Sequence, residues 1–422
     1  MDFLTPKGLD RLSSLLSQHG ILDDRGQRID PRKLHQTSLN ISDPTNLEGI
    51  LAVLEGYQLP SLGTLHADII DLHYRDLRII TTFIEKLPSL TNVSLDFCHE
   101  HLDNSEWVEE TTSNLATFLD VLSTKNCQAL CLKDSRCLPI PTCLLSRESE
   151  RLEMKGKVFP SPAERIRGIQ PITSLRTLDI QLPLMLTTPW HDWTTRTINL
   201  SPIDSLHLNP TRPIPMSSIL PAIATKSFHT LSIQGAAFHD LMDFLSRQSI
   251  INFICPVYLT HDVFSPLNAD GSSGVVHSAA FPNDGFILPL QSLHAPADFI
   301  SRFLELFDSP RRPALRFFTI SRSYFHTLRS NHHPCDSESL ALKKAIQATK
   351  STLIPNTELE CTFSCVYCLT TFLLRSCERE KSTTTKSPPS SVTRIKLNLY
   401  GPEHCPYPEI VRPIPFAFLS FL

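Results

Sequence analysis

The stretch Ser174-Leu175-Arg176-Thr177-Leu178-Asp179-Ile180 decides how this chain is read, because Leu175, Leu178 and Ile180 set a spacing of apolar-x-x-apolar-x-apolar. The same spacing recurs at Leu62/Leu65/Ala67, Leu90/Val93/Leu95, Ile203/Leu206/Leu208, Phe228/Leu231/Ile233, Leu315/Phe318/Ile320 and Val392/Ile395/Leu397. Weaker copies stand at Leu290/Leu293/Ala295 and around Leu130/Leu132 and Leu152/Met154. Alternation of apolar and polar residues over so short a run is the pattern of a half-buried strand.

Between these runs the apolar spacing changes from two to three or four. Leu77, Ile80, Ile84 and Leu87 share one helical face, as do Val108, Leu115, Phe118, Leu119 and Leu122, with Glu106, Glu109 and Glu110 near the N-terminal end where the helix dipole favours them. Leu9, Leu12, Leu15 and Leu16, then Leu47, Ile50, Leu51 and Leu54, predict two further helices near the N-terminus. The intervals between middle apolar residues are mostly about 22 to 37 residues in the first two thirds of the chain. A unit that contributes one short strand and one amphipathic helix cannot bury its apolar face alone, so units stack and the strands pair in parallel.

Composition agrees. The 422 residues are 41% hydrophobic and 19% charged, the balance of a chain with a sizeable core, and the formal net charge of -4 provides no basic field to gather nucleic acid. Thirty-three prolines against 13 glycines make the turns proline-punctuated, with Pro60, Pro88, Pro171, Pro202, Pro289 and Pro313 just ahead of strand-like runs. Twelve cysteines without paired spacing, and a start without a secretory pattern, predict reduced thiols in a cytoplasmic or nuclear protein. The sequons at Asn40, Asn92 and Asn199 are then chance matches, and no run reaches the ~20 apolar residues of a membrane span.

The expected organisation is a helical cap over 1–45, a repeat region over 46–354 with a loop insertion near 262–286, a cysteine-containing and disordered segment over 355–391, and a final repeat or cap over 392–422. The fold class is α/β, an irregular leucine-rich-repeat-like solenoid with a parallel inner sheet and helices on its convex side. These repeated Leu-x-x-Leu-x-Ile runs, with Cys98 three residues after Leu95, resemble the irregular leucine-rich-repeat region of F-box proteins of fungal type. No F-box run opens the chain. The resemblance implies the substrate-recognition half of a ubiquitin-ligase receptor.

Function is therefore expected to be noncovalent recognition of a protein partner by a monomeric, non-catalytic scaffold that needs no cofactor, with no nucleic acid and no membrane among its partners. The residues displayed between the apolar anchors are Arg176, Thr177 and Asp179; Asp204, Ser205 and His207; and His229, Thr230 and Ser232. Their mixed polarity suits a polar protein surface. The identity of the partner is not written in the sequence.

The alternative lies in Cys361-Thr-Phe-Ser-Cys365-Val-Tyr-Cys368, whose spacing is similar to the iron-sulfur motif of radical S-adenosylmethionine enzymes. With Cys377, or with His404 and Cys405, the same thiols form a candidate zinc set. His332, His333 and Cys335 form a weaker metal candidate. That motif sits late in the chain, with no glycine-rich cofactor segment after it, which favours buried cysteines over a cluster. Asp192 and His191 between Trp190 and Trp193 read as an aromatic loop patch, either a binding hot spot or tryptophans packed into the core. No Gly-x-Ser-x-Gly elbow, Walker loop or dinucleotide fingerprint is present.

Overall fold

A computed structural model describes residues 2–3, 6–18, 21–23, 25–53, 57–70, 75–98, 107–134, 153–154, 157–158, 162–211, 214–256, 258–259, 289–306, 315–321, 357–363 and 392–399. The chain divides into two compact units, Met1–Ala224 and Thr225–Leu422.

The first unit is built on strands β1 (Leu22–Asp23), β2 (Ser38–Ile41), β3 (Leu62–Ile69), β4 (Leu90–Phe97), β5 (Ala129–Asp134), β6 (Thr177–Ile180) and β7 (Ser205–Leu208), adjacent in the sheet in chain order. β1 pairs antiparallel with β2, and every later pair is parallel. Parallel neighbours need a crossover between them, and helices supply it: α1 (Pro6–Gln18) precedes the sheet, and α2 (Asn46–Val53), α3 (Arg75–Glu85), α4 (Trp107–Ser123), α5 (Pro162–Gly168) and α6 (Trp190–Leu200) lie between or beside strands in sequence.

Register makes the sequence repeat physical. Leu39, Leu65, Val93, Leu130, Leu178 and Leu206 stand opposite one another across six strands. Two residues on, Ile41, Ala67, Leu95, Leu132, Ile180 and Leu208 form a second row, and no member of either row is more than 2% exposed. Side chains alternate across a strand, so a one-residue slip would turn both rows to the other face. Full burial of each such leucine stabilises by about 1.5–3 kcal/mol relative to exposure.

The entries to successive strands share a hydrogen-bond device. The Gln128 carbonyl accepts from the N–H groups of Arg176 and Thr177 at 2.8 and 3.0 Å, and the Arg176 carbonyl accepts from Asp204 and Ser205 at 2.8 and 3.0 Å. In the second unit the Gln291 carbonyl does the same for Arg316 and Phe317, at 2.8 and 3.1 Å. Each accepting residue stands immediately before its strand.

Helix ends are capped by cations from farther along the chain. Lys125, just past α4, donates from Nζ to the Leu87 carbonyl at 2.8 Å and the Glu85 carbonyl at 3.3 Å, at the end of α3. Arg196 on α6 donates to the carbonyls of Ile166, Arg167 and Ile169 at the end of α5, at 3.1 to 3.3 Å. Both satisfy carbonyls that a helix leaves without an internal partner and sit where its dipole favours positive charge.

The second unit carries six parallel strands in chain order: β8 (Ser227–Ile233), β9 (Ser249–Ile254), β10 (Ser292–Pro296), β11 (Phe317–Ser321), β12 (Thr357–Phe363) and β13 (Val392–Leu399). Leu231, Phe253, Leu293, Phe318, Leu359 and Ile395 stand in one register row. Helices α7 (Phe238–Ser246) and α8 (Ala297–Glu305) bury Leu241, Phe244 and Leu245, and Phe299, Ile300, Phe303 and Leu304. Phe299 gathers Phe238, Phe253 and Phe303 at ring-centroid distances of 5.4, 6.0 and 5.9 Å.

The structure bears on four expectations. Glu153–Met154, expected to extend the row of parallel strands, pairs antiparallel with Lys157–Val158 in a separate two-stranded hairpin, and β5 pairs directly with β6. The stretch 1–45, expected as a helical cap, also contains β2 with its buried Leu39 and Ile41. Of the segment 355–391 the described residues are 357–363, which form β12 and place Cys361 on a strand opposite Ile320 and Leu397, as the strand or helix reading of these cysteines expects. Of the two readings of Trp190 and Trp193, packing into the core is the one that holds: both are fully buried, on α6 rather than on a loop. The insertion at 262–286, His332, His333, Cys335, Cys365, Cys368, Cys377, His404 and Cys405 fall outside the described residues. No described helix is long and apolar enough to cross a membrane.

Candidate functional site

The residues between the buried rows of the first unit form rows of their own on the opposite face of the sheet. One row is Ser38, Thr64, Asn92, Ala129, Thr177 and Ser205, and the next is Asn40, His66, Ser94, Cys131, Asp179 and His207. All are half-buried or exposed, in contrast to the rows behind them. Asp68, Asp96 and Lys133 begin a third row at the C-terminal ends of β3 to β5.

Short hydrogen bonds tie these rows together. Asn92 Nδ2 donates to Thr64 Oγ1 at 3.1 Å. Ser205 Oγ lies 2.9 Å from His207 Nε2. The Asp179 carboxylate accepts at Oδ2 from Cys131 Sγ at 3.3 Å and from Gln181 Nε2 at 3.2 Å. Its Oδ1 is shielded from solvent and has no hydrogen-bond partner. Asp179 stands in register beside His207, yet His207 is not bonded to that oxygen, so Ser205, His207 and Asp179 do not form a nucleophile–base–carboxylate relay.

Charge along the face is mixed. Burial raises the Asp68 carboxyl, the neighbouring Asp96 raises it further, and Lys133 opposes them. Arg176 and Asp204 pair at 3.5 Å with both side chains well exposed, an arrangement that adds little stability but sets the local charge pattern. Burial pushes the Cys131 thiol up to about 12, with Asp179 acting in the same direction. That thiol stays protonated at neutral pH and is a poor nucleophile or metal ligand.

Among the described residues, Asp68, Asp96 and Cys98 are the group whose donor atoms lie close enough, within 4.8 Å of one another, to share a cation. Two carboxylates favour a hard ion and the thiol a soft one, and such acidic groups meet on many sheet faces without an ion. The trio was not anticipated from the sequence, since it joins Asp68 on β3 to Asp96 on β4 and Cys98 just past its end; the signal available was that Asp68 and Asp96 follow their anchors Leu65 and Val93 by the same three residues.

Of the nine residues anticipated from the sequence, Arg176, Thr177, Asp179, Asp204, Ser205 and His207 come together in the first unit, on β6, β7 and the residues just before them. His229 and Thr230 belong to the second unit, where His229 is exposed with Nε2 3.3 Å from Asn252 Nδ2. Thr230 is in register with Asn252 and, through it, with Ser292. Ser232 is 1% exposed and lies in the interior, so it is not displayed. Phe317, next in that row after Ser292, is 52% exposed and was not anticipated, because apolar residues in these runs read as anchors.

Of the four cysteines in the alternative metal set, Cys361 alone falls within the described residues, on β12. No family model matches the sequence, and searches of curated proteins and of solved structures return no match.

Proposed function

We propose that the chain is an irregular leucine-rich-repeat-like scaffold that recognises a protein partner through the polar face of its parallel strands. The observation that carries this reading is the pair of register rows from β2 to β7: side chains pointing one way are sealed in the core, while Thr177, Asp179, Ser205, His207 and their neighbours are left half-buried or exposed on the other. A rigid sheet presents such groups without the ordering cost that a flexible loop would incur on binding. Mixed hydroxyl, imidazole, carboxylate and guanidinium groups match a polar protein surface, and exposed Phe317 in the second unit offers an aromatic anchor of the kind enriched at interface centres.

The strand–helix repetition, the shared carbonyl device at Gln128, Arg176 and Gln291, and the cationic helix caps support a stack of related units. The reading is non-catalytic and intracellular, and by resemblance it includes substrate capture for a ubiquitin ligase. Affinity capture of the full chain followed by mass spectrometry tests it. A reproducible partner, with ligase adaptors among the co-captured proteins, is the expected result, and Arg176→Glu together with His207→Glu should remove that partner while circular dichroism stays unchanged. Capture that survives both changes in a folded protein would refute the assignment of this face.

A further inference from the structure

We draw no further inference here: the strongest candidate, the side-chain cluster of Asp68, Asp96 and Cys98 at the C-terminal ends of β3 and β4, sets two carboxylates beside a single thiol, and no second feature among the described residues points to a ligand there.

Discussion

Cys131 Sγ on β5 donates to Asp179 Oδ2 on β6 across 3.3 Å, joining two strands whose residues lie 48 positions apart in the chain. The contact lies on the open face, directly between the buried pairs Leu130/Leu178 and Leu132/Ile180. A thiol rather than a hydroxyl occupies a place where burial and an adjacent carboxylate both resist deprotonation. Asp179→Asn removes the charge but not the burial, so the Cys131 pKa should fall from about 12 without returning to the ordinary thiol value of 9.0. The pH profile of alkylation at Cys131, read by mass spectrometry on folded protein, checks this. An unshifted profile would mean that Asp179 does not set it.

Cys127 makes a larger statement about stability. It is fully buried ahead of β5, its Sγ donates to the Ala129 carbonyl at 3.2 Å, and burial lifts its pKa from 9.0 to about 12. A folded-state pKa above the unfolded one means that the contribution is fully present below pH 9.0 and declines as pH rises toward about 12, because the unfolded chain releases the proton first. Denaturant midpoints should therefore fall over that window. Cys127→Ala should flatten the fall; an equally steep loss in the variant would place its origin elsewhere.

Leu178 sits between Leu130 and Leu206 in the central buried row and has no exposed surface. Truncation to alanine leaves a hole that strands fixed on both sides cannot close, so Leu178→Ala should cost about 2–5 kcal/mol in urea unfolding. Thr177→Ala, one residue away but facing outward, should change stability by less than about 0.5 kcal/mol. Equal effects would contradict the alternation.

Gly63 is the second residue of β3, and a Cβ there would lie 2.7 Å from the His35 carbonyl oxygen and 3.2 Å from the Thr37 carbonyl oxygen. Both obstacles are backbone, which cannot rotate aside. Gly63→Ala should push the 31–36 turn away from β3 and weaken the bond from Thr64 N–H to the Thr37 carbonyl, at a cost of about 1–3 kcal/mol. Hydrogen exchange at Thr64 would report it, and unchanged protection would show that the turn yields freely.

The register of Leu65, Val93, Leu130, Leu178 and Leu206 was legible in the sequence because period-two alternation and burial are two views of one constraint. Leu231, Leu293, Phe318 and Ile395 align for the same reason. Leu39 on β2 was missed because its strand is four residues long, too short to show a period amid polar neighbours. Met154 was included because an isolated apolar pair carries no information about its partner, and the structure pairs it within its own hairpin. On the face, Arg176, Thr177 and Asp179 were legible from the gaps between anchors, whereas Ser232 was not: the same parity on β8 leads into the interior, which strand phase alone does not reveal. Cys131 with Asp179, and Asp68 with Asp96, depend on which strands become neighbours, information held by the fold rather than by local spacing.

The recognition face can be separated from the core by a charge exchange on two registered positions. Thr177 on β6 stands opposite Ser205 on β7, and both point away from the buried rows. Placing like charges at opposed positions would strain the sheet, so Thr177→Lys is combined with Ser205→Glu, a pair that attracts across the strands. Ser205→Glu also removes the hydroxyl 2.9 Å from His207 Nε2 and puts a carboxylate beside that imidazole. Stability should stay within roughly 1 kcal/mol of the parent in urea unfolding, since both positions are half-buried and lie outside the sealed rows, while capture of a partner that reads hydroxyls and the His207 ring is lost. Full capture by this folded double variant would move the binding surface off β6 and β7, and a collapse of stability would show that the face is part of the core.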